Sequence, residues 1–171
     1  MLSYATPTDP ARILDELAAL YARVFAEPPY EEGPEQVGEF VTNYTRDANK
    51  PGFVVVTARD NETLVGFAYG TGRPPGTWWG SCDTPPPAQV ERHASFAVYE
   101  WAVDQRYRRR GIGRELMTRL LTDRPEAWAT LTVNPAADAH KIYLRAGWQQ
   151  VGMCHQDNWP AMAVLTRRMP G

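Results

Sequence analysis

The stretch Arg108-Arg109-Arg110-Gly111-Ile112-Gly113 decides how the rest of this sequence is interpreted. It follows an apolar run, Phe96 to Val103, that is typical of a central strand. It opens a second apolar pattern, Ile112 to Leu121, that has helical spacing. Glycines at a helix start let an anion approach the backbone, and the first helical turn presents unpaired N–H groups to it. The segment therefore predicts a phosphate-binding turn; the alternative is a solvated basic turn whose glycines serve only chain reversal.

Hydrophobic periodicity predicts four helices and six strands, ordered ααββ, then a loop, then βαβαββ. The helices are expected at about 10–27, 34–46, 112–121 and 135–146, and the strands at 53–58, 64–69, 96–103, 128–133, 148–153 and 162–165. Asp9 is the expected N-cap of the first helix, and Asn134 with Pro135 the expected start of the last. An insertion at about 70–93, rich in proline, glycine and tryptophan, is too long for a neutral connection. This order predicts one mixed α/β domain over residues 1–171.

The composition is ordinary for a soluble globular protein. Apolar residues make up 43% and charged residues 22%, and the formal net charge of −2 does not favour a nucleic-acid partner. No apolar run is long enough to cross a bilayer. Cys82 and Cys154 are too few for a disulfide framework and lack metal-ligand spacing, so we expect free thiols and no metal. A cytoplasmic enzyme is the resulting expectation. Neither thiol has a recognisable His and acid partner, so we do not expect either one to act as a covalent nucleophile.

Two motifs, in the same order along the chain, resemble the signatures of the GNAT N-acetyltransferase superfamily. They are Arg108-x-x-Gly111-x-Gly113 and, further along, Asn134 followed by Tyr143-x-x-x-Gly147-Trp148. The resemblance implies an α+β fold with a mixed, mostly antiparallel central sheet flanked by helices. It also implies that acetyl-CoA is the co-substrate. Dimers are common in this superfamily, so a homodimer is one oligomeric state to test.

The resemblance further implies how acetyl-CoA would be held. Backbone groups of Ala102 and Val103 would pair with the pantetheine arm like an added strand. Amides from Arg108 to Gly113 would hold the pyrophosphate, and nearby arginines could meet the ribose phosphate. The expected cofactor-binding set is Ala102, Val103, Arg108, Arg109, Arg110, Gly111, Ile112, Gly113, Arg114 and Asn134.

Two residues are expected to move protons during amine acetylation. Tyr143 matches the superfamily position whose hydroxyl protonates the departing thiolate, and a phenol with a reference pKa of about 10 keeps its proton at neutral pH. A core tyrosine is the alternative. Glu100 is a lone carboxylate in an apolar strand, where burial would raise its pKa toward that of a useful base. It is expected either to act as base, directly or through a water, or to be a structural partner of an arginine or of backbone amides.

The acceptor is the less determined half of the reaction. Glu27 and Tyr30 form an acidic, aromatic patch, and Trp78 and Trp79 could stack on an apolar or cationic group. These four residues favour the primary amine of a small molecule as acceptor. We expect direct transfer in a ternary complex, because neither thiol has the partners that a covalent intermediate would need. The alternatives are a protein N-terminus or lysine, and a non-catalytic module that senses acyl-CoA.

Overall fold

Seven strands and five helices are present in the computed structural model, which describes residues 1–157 and 159–170. The strands are β1 (Leu2–Ala5), β2 (Val54–Asp60), β3 (Thr63–Arg73), β4 (Ser95–Val103), β5 (Trp128–Val133), β6 (Gln149–Cys154) and β7 (Met162–Arg168). The helices are α1 (Leu14–Phe25), α2 (Pro34–Asp47), α3 (Ala88–Glu91), α4 (Ile112–Leu121) and α5 (Asp138–Arg145). The strand order is β1-β2-β3-β4-β5-β7-β6, and β4 and β5 run parallel. Among the described residues, no helix combines the length and apolar character that crossing a membrane requires.

Residues 1–71 and 99–123 form one compact unit, in which β1, β2 and β3 follow one another as antiparallel neighbours. Val56 of β2 pairs with Ala68 of β3, and β-branched side chains suit the buried face that this pairing creates. The turn between these two strands places Asn61 in a left-handed conformation, with φ 53°, which asparagine tolerates better than most residues. The predicted antiparallel hairpin is therefore confirmed, with longer strands and a tighter turn.

An aromatic core holds α1 and α2 in place within this unit. The Phe40 side chain is buried, and its ring centroid lies 4.4 Å from that of Tyr21 and 5.8 Å from that of Phe67. Tyr44 packs edge-on against Tyr69 with their centroids 5.1 Å apart. Aromatic side chains bury much apolar area and pack in defined geometries, so they fix both helices firmly. The end of α1, which matters for the site, is therefore set by core packing.

Residues 72–98 and those from 124 onward form the second compact unit. Strand β5 lies between β4, which runs parallel to it, and β7, which runs antiparallel. Leu131 of β5 pairs with Leu165 of β7, and both side chains are buried. A strand with neighbours on both edges and cover on both faces requires an apolar sequence, which Trp128–Val133 has. β6 completes this part of the sheet as an antiparallel neighbour of β7.

The sequence predictions of α2, β5 and α4 are confirmed, but the N-terminal strand β1 was not predicted. Its four residues are mostly exposed and show no alternation of apolar and polar positions, so periodicity gives no signal. Asp9 does lie at an N-cap, although the segment it precedes, Pro10–Ile13, is a 3-10 helix and the Asp9 side chain makes no capping hydrogen bond. Helix α1 itself begins at Leu14.

The predicted start of the last helix is wrong by several residues. α5 begins at Asp138, because the chain first makes a separate turn. In that turn the Asn134 side-chain oxygen accepts a hydrogen bond from the Ala136 N–H at 2.9 Å, and the Asn134 carbonyl accepts one from Ala137. Asparagine followed by proline therefore signals a turn here, which is a common use of this residue.

The expectation of free thiols is also wrong. Cys82, in the insertion, and Cys154, at the end of β6, form a disulfide across an isolated antiparallel bridge. The Asp83 N–H donates to the Met153 carbonyl at 2.9 Å beside it, so this part of the insertion lies along β6. The two cysteines are 72 residues apart, a distance over which sequence spacing carries no information about pairing. In this disulfide neither cysteine is a thiol nucleophile.

Candidate functional site

The turn between β4 and α4 is held in shape by Asp104. Its buried carboxylate accepts hydrogen bonds from the Arg106 backbone N–H at 3.0 Å and from Arg106 Nη2 at 2.8 Å. Arg23 Nε lies 3.7 Å from the same carboxylate. Hydrogen bonding to Arg106 is the main reason that the pKa of Asp104 falls to about 2. An aspartate two residues before a turn amide is a recognisable capping signal, which the sequence analysis overlooked.

Two residues of this turn have left-handed backbone conformations. Arg109 has a φ of 63°, and Gly111, the N-cap of α4, has a φ of 80°. Glycine adopts this conformation without strain, whereas Arg109 requires support from its surroundings. Left-handed residues within a turn direct successive N–H groups toward one side, where they can bind an anion. The first turn of α4 adds its own unpaired N–H groups and the positive end of its dipole.

Trp101 explains why residue 113 is glycine. The Trp101 indole N–H donates to the Gly113 carbonyl at 2.9 Å. A Cβ atom at position 113 would lie 2.7 Å from the ring atom Cζ2, which is closer than two nonbonded carbon atoms approach. The sequence alone assigned this glycine to close approach of an anion. The structure adds a packing reason, because the start of α4 rests directly on the indole.

The structure brings together an expected acceptor residue and an expected cofactor residue. Arg108 Nη1 lies 2.8 Å from Glu27 Oε2, and Arg108 Nε donates to the Val103 carbonyl at 3.1 Å. Arg109 and Arg114 are exposed, and in the part of the chain that the structure describes neither forms an ion pair. Their guanidinium groups are therefore the ones in the turn best able to meet phosphate oxygens.

The remaining expected cofactor residues of this unit differ in what they can contribute. Ala102, near the end of β4, and Ile112, the first residue of α4, are both buried, so only their backbone groups could meet a ligand. Arg110 is exposed, and its guanidinium lies 5.1 Å from the centre of the Tyr107 ring. In this turn, backbone N–H groups and the exposed guanidinium groups are therefore both available to an anion.

Glu100 lies on β4 among acidic and tyrosine side chains of the same unit. The residue is partly exposed, and desolvation by the protein around it raises the pKa of its carboxyl well above the usual value. The negative charges of Glu32 and Asp47 raise it further. The Tyr21 hydroxyl donates a hydrogen bond to Glu32, which orients that carboxylate. Among the described residues, no arginine or backbone amide has a hydrogen bond to the Glu100 carboxyl in this structure.

Tyr143 and Asn134 belong to the second unit. Tyr143 is buried on α5, and its ring meets that of Trp148 edge-on with centroids 5.5 Å apart. Gly147 ends this helix with a φ of 87°, which lets the Trp148 N–H return to the Tyr143 carbonyl at 3.1 Å. The second motif therefore builds a helix end that fixes the tyrosine. Asn134 uses its side-chain oxygen within its own turn.

The other expected acceptor residues are Tyr30, Trp78 and Trp79. Tyr30 and Trp79 contact other side chains, and the indole N–H of Trp78 is buried. The Tyr30 ring lies edge-on to Phe25 with centroids 4.9 Å apart. Trp79 donates its indole N–H to Thr130 Oγ1 at 2.8 Å. The indole N–H of Trp78 is buried and, among the described residues, has no hydrogen-bond partner. A buried donor of this kind is costly unless something else satisfies it, so Trp78 is the acceptor candidate that points to a ligand.

We expect Gly113→Ala to destabilise the protein by about 1–3 kcal/mol, because the added methyl group overlaps the Trp101 ring. Thermal or denaturant unfolding measures this change. The matched control is Gly38→Ala on α2, where a Cβ meets nothing within 4 Å. That change should stabilise the protein by up to about 1 kcal/mol, because alanine favours helix. Equal effects of the two substitutions would contradict the packing role of Trp101.

The sequence and the fold both resemble those of known acetyltransferases. The model of the Acetyltransferase (GNAT) family matches residues 14–148. No curated protein matches the chain. Solved structures do: PH1933 from Pyrococcus horikoshii OT3 is 19% identical with a TM-score of 0.71, covering 99% of each chain. An aminoglycoside 6'-N-acetyltransferase complexed with coenzyme A is 17% identical with a TM-score of 0.64, covering 100% of this chain and 98% of its own.

A third solved structure has a different kind of acceptor in its name. The ribosomal-protein-S18-alanine N-acetyltransferase from Escherichia coli is 16% identical with a TM-score of 0.67, covering 99% of this chain and 94% of its own. At these identities the solved structures establish the fold alone. They confirm the expected mixed sheet flanked by helices, in which β4 and β5 are parallel. The family model spans most of the sequence, and the chain therefore belongs to the GNAT acetyltransferase family, as an acetyl-CoA-dependent N-acetyltransferase.

Proposed function

We propose that this enzyme acetylates the primary amine of a small molecule by direct transfer from acetyl-CoA. The observation that carries the proposal is the position of Glu100 on β4, where desolvation and the negative charges of Glu32 and Asp47 raise the pKa of its carboxyl. An amine is a nucleophile only when it is neutral, so transfer needs a group that takes its proton at ambient pH. A carboxyl whose pKa is moved toward that pH is suited to the task.

The turn after β4 supports the proposed binding of acetyl-CoA, which supplies a thioester whose carbonyl carbon the amine attacks. Backbone N–H groups of residues 108–113 would hold the pyrophosphate, since Arg109 and Gly111 give this segment left-handed geometry. The backbone of Ala102 and Val103 would pair with the pantetheine arm. Asn134 would contribute its side-chain N–H, because its oxygen already accepts a hydrogen bond.

Glu100 and Tyr143 would move two protons of the reaction. Glu100 accepts the proton that the ammonium group of the acceptor loses to become a neutral amine. The amine nitrogen then bonds to the acetyl carbon and gives up a second proton as the amide forms. Tyr143 donates its hydroxyl proton to the sulfur as the carbon–sulfur bond breaks. Release of a proton from Glu100 to water and recovery of one by Tyr143 restore both groups. The disulfide between Cys82 and Cys154 favours direct transfer, since a covalent relay would need a thiol.

The acidic surroundings of Glu100 support a small cationic acceptor. Glu32 and Glu100 would attract an ammonium group, and Trp78 offers a buried N–H that lacks a protein partner among the described residues. Tyr30 and Trp79 would add aromatic surface. The second candidate acceptor is a protein N-terminus, which is favoured by likeness to the ribosomal-protein-S18-alanine N-acetyltransferase. The likeness to an aminoglycoside acetyltransferase favours the first.

Thiol release from acetyl-CoA tests the acceptor class. We expect at least one small primary amine to support a kcat/KM at least about tenfold above that of peptides with open N-termini or lysines, because a site that fits one amine rejects others through lost contacts. The panel should contain diamines, amino sugars and arylalkylamines at matched concentrations. Turnover with peptides alone would favour the second candidate. Binding of acetyl-CoA without turnover of any amine would indicate a sensing module.

The pH–rate profile tests Glu100. As a base, Glu100 acts only when deprotonated, so activity should rise as the pH rises through its raised pKa. We expect Glu100→Gln to lower kcat by about 10²–10⁴-fold and to remove this acidic limb. Tyr143→Phe should also lower kcat but should keep the limb, because it removes only the proton donor.

The same acceptor should be used for wild type and both variants, so that titration of the acceptor cancels in the ratio of their profiles. Affinity for CoA serves as the control for folding, and neither substitution should change it strongly. An acidic limb that persists unchanged in Glu100→Gln would exclude Glu100 as the base. Unchanged turnover in Tyr143→Phe would exclude the tyrosine as the acid.

A further inference from the structure

The end of α1 holds the turn after β4 through two ion pairs. Arg23, in the last turn of the helix, lies 3.7 Å from Asp104. Glu27, just beyond the helix, binds Arg108 with both carboxylate oxygens, at 2.8 Å and 3.3 Å. We infer that Glu27 is a positioning residue for acetyl-CoA binding, which it supports by fixing Arg108. This inference rests on the proposed binding of the pyrophosphate by residues 108–113.

Arg108 lies within the turn and is held by contacts outside it. All three nitrogens of its guanidinium group are engaged, since Nε donates to the Val103 carbonyl while the two terminal nitrogens meet Glu27. The next residue, Arg109, has the unfavourable left-handed backbone, with a φ of 63°. A side chain fixed immediately before a strained residue restricts the conformations that the turn can relax into. The Glu27 carboxylate therefore helps to keep the N–H groups of the turn directed before any ligand binds.

Glu27 is itself firmly placed. Its carbonyl accepts hydrogen bonds from the N–H groups of Tyr30 at 3.0 Å and Glu31 at 3.1 Å, which close the loop between α1 and α2. The same loop carries Glu32, whose charge raises the pKa of Glu100. One loop thus contacts the turn through Glu27 and influences the proposed base through Glu32. This arrangement links the donor side of the reaction to the proton-accepting side.

Glu27 and Arg108 could have two other roles, and each would give a different experimental result. If Glu27 bound the acceptor amine, its loss would weaken acceptor binding and leave CoA binding unchanged. If the Arg108 guanidinium bound phosphate directly, CoA binding would depend on Arg108 and not on Glu27. In the structure the two charges are engaged with each other, and a bidentate arginine–carboxylate pair has a defined geometry.

Calorimetric titration with CoA, without acceptor, distinguishes these roles. We expect Glu27→Gln to raise the Kd for CoA between about threefold and tenfold, because a partly exposed ion pair makes a modest contribution. The matched control is Glu16→Gln, which breaks a similar bidentate pair from α1 to Arg59, at 2.7 Å and 2.9 Å. That control should leave the Kd for CoA unchanged, since Arg59 is on β2 and outside the turn.

The double exchange Glu27→Arg with Arg108→Glu should bind CoA more tightly than either of its single variants, because it restores an ion pair. An unchanged Kd in Glu27→Gln would overturn the inference, and so would an equal loss in Glu16→Gln. Unfolding temperatures show whether a variant is folded, and Glu27→Asp, which keeps the charge but shortens its reach, replaces Glu27→Gln if that variant unfolds. Failure of the wild type to bind CoA would instead contradict the proposed cofactor site.

Discussion

The left-handed backbone at Arg109 is the constraint on which the rest of the site depends. A non-glycine residue in this conformation costs about 1–3 kcal/mol and persists only where its neighbours hold it. Asp104 holds the turn on one side through Arg106, and Trp101 holds it on the other through the Gly113 carbonyl. Both holding residues come from β4 or directly follow it. The strand that ends at the turn therefore also builds it, and the glycines alone would not suffice.

Strand β4 also carries the residue proposed to accept the proton. Glu100 precedes Val103 by three residues, so roughly 10 Å of extended chain separates this residue from the start of the turn. The two ends differ in charge, since Glu32 and Asp47 act on Glu100 while arginines surround the turn. Asp47 is buried, so solvent screens its charge less than it would screen an exposed charge. A cationic amine and an anionic cofactor would each meet the opposite charge along one strand.

The parts of the structure that depend on local sequence could be predicted. Periodicity found α2, α4 and β5, and the motif from Arg108 to Gly113 identified the turn because its glycines and its flanking elements are contiguous. The contacts that tune the site could not be predicted, since they join residues distant in sequence. Glu27 meets Arg108 across 81 residues, and the charge of Asp47 reaches Glu100 only in the fold. The disulfide between Cys82 and Cys154 was not predicted for the same reason, since the two cysteines are 72 residues apart.

Amide NMR on titration with CoA, without acceptor, tests the central claim most directly, because it reports on each backbone N–H of the turn. The account predicts that the largest shift changes and the strongest slowing of hydrogen exchange fall on residues 109–113. The amides around Glu16 on α1 should show neither change. Saturation with CoA that leaves the amides of 109–113 unchanged would contradict the account, since the phosphate would then be bound elsewhere.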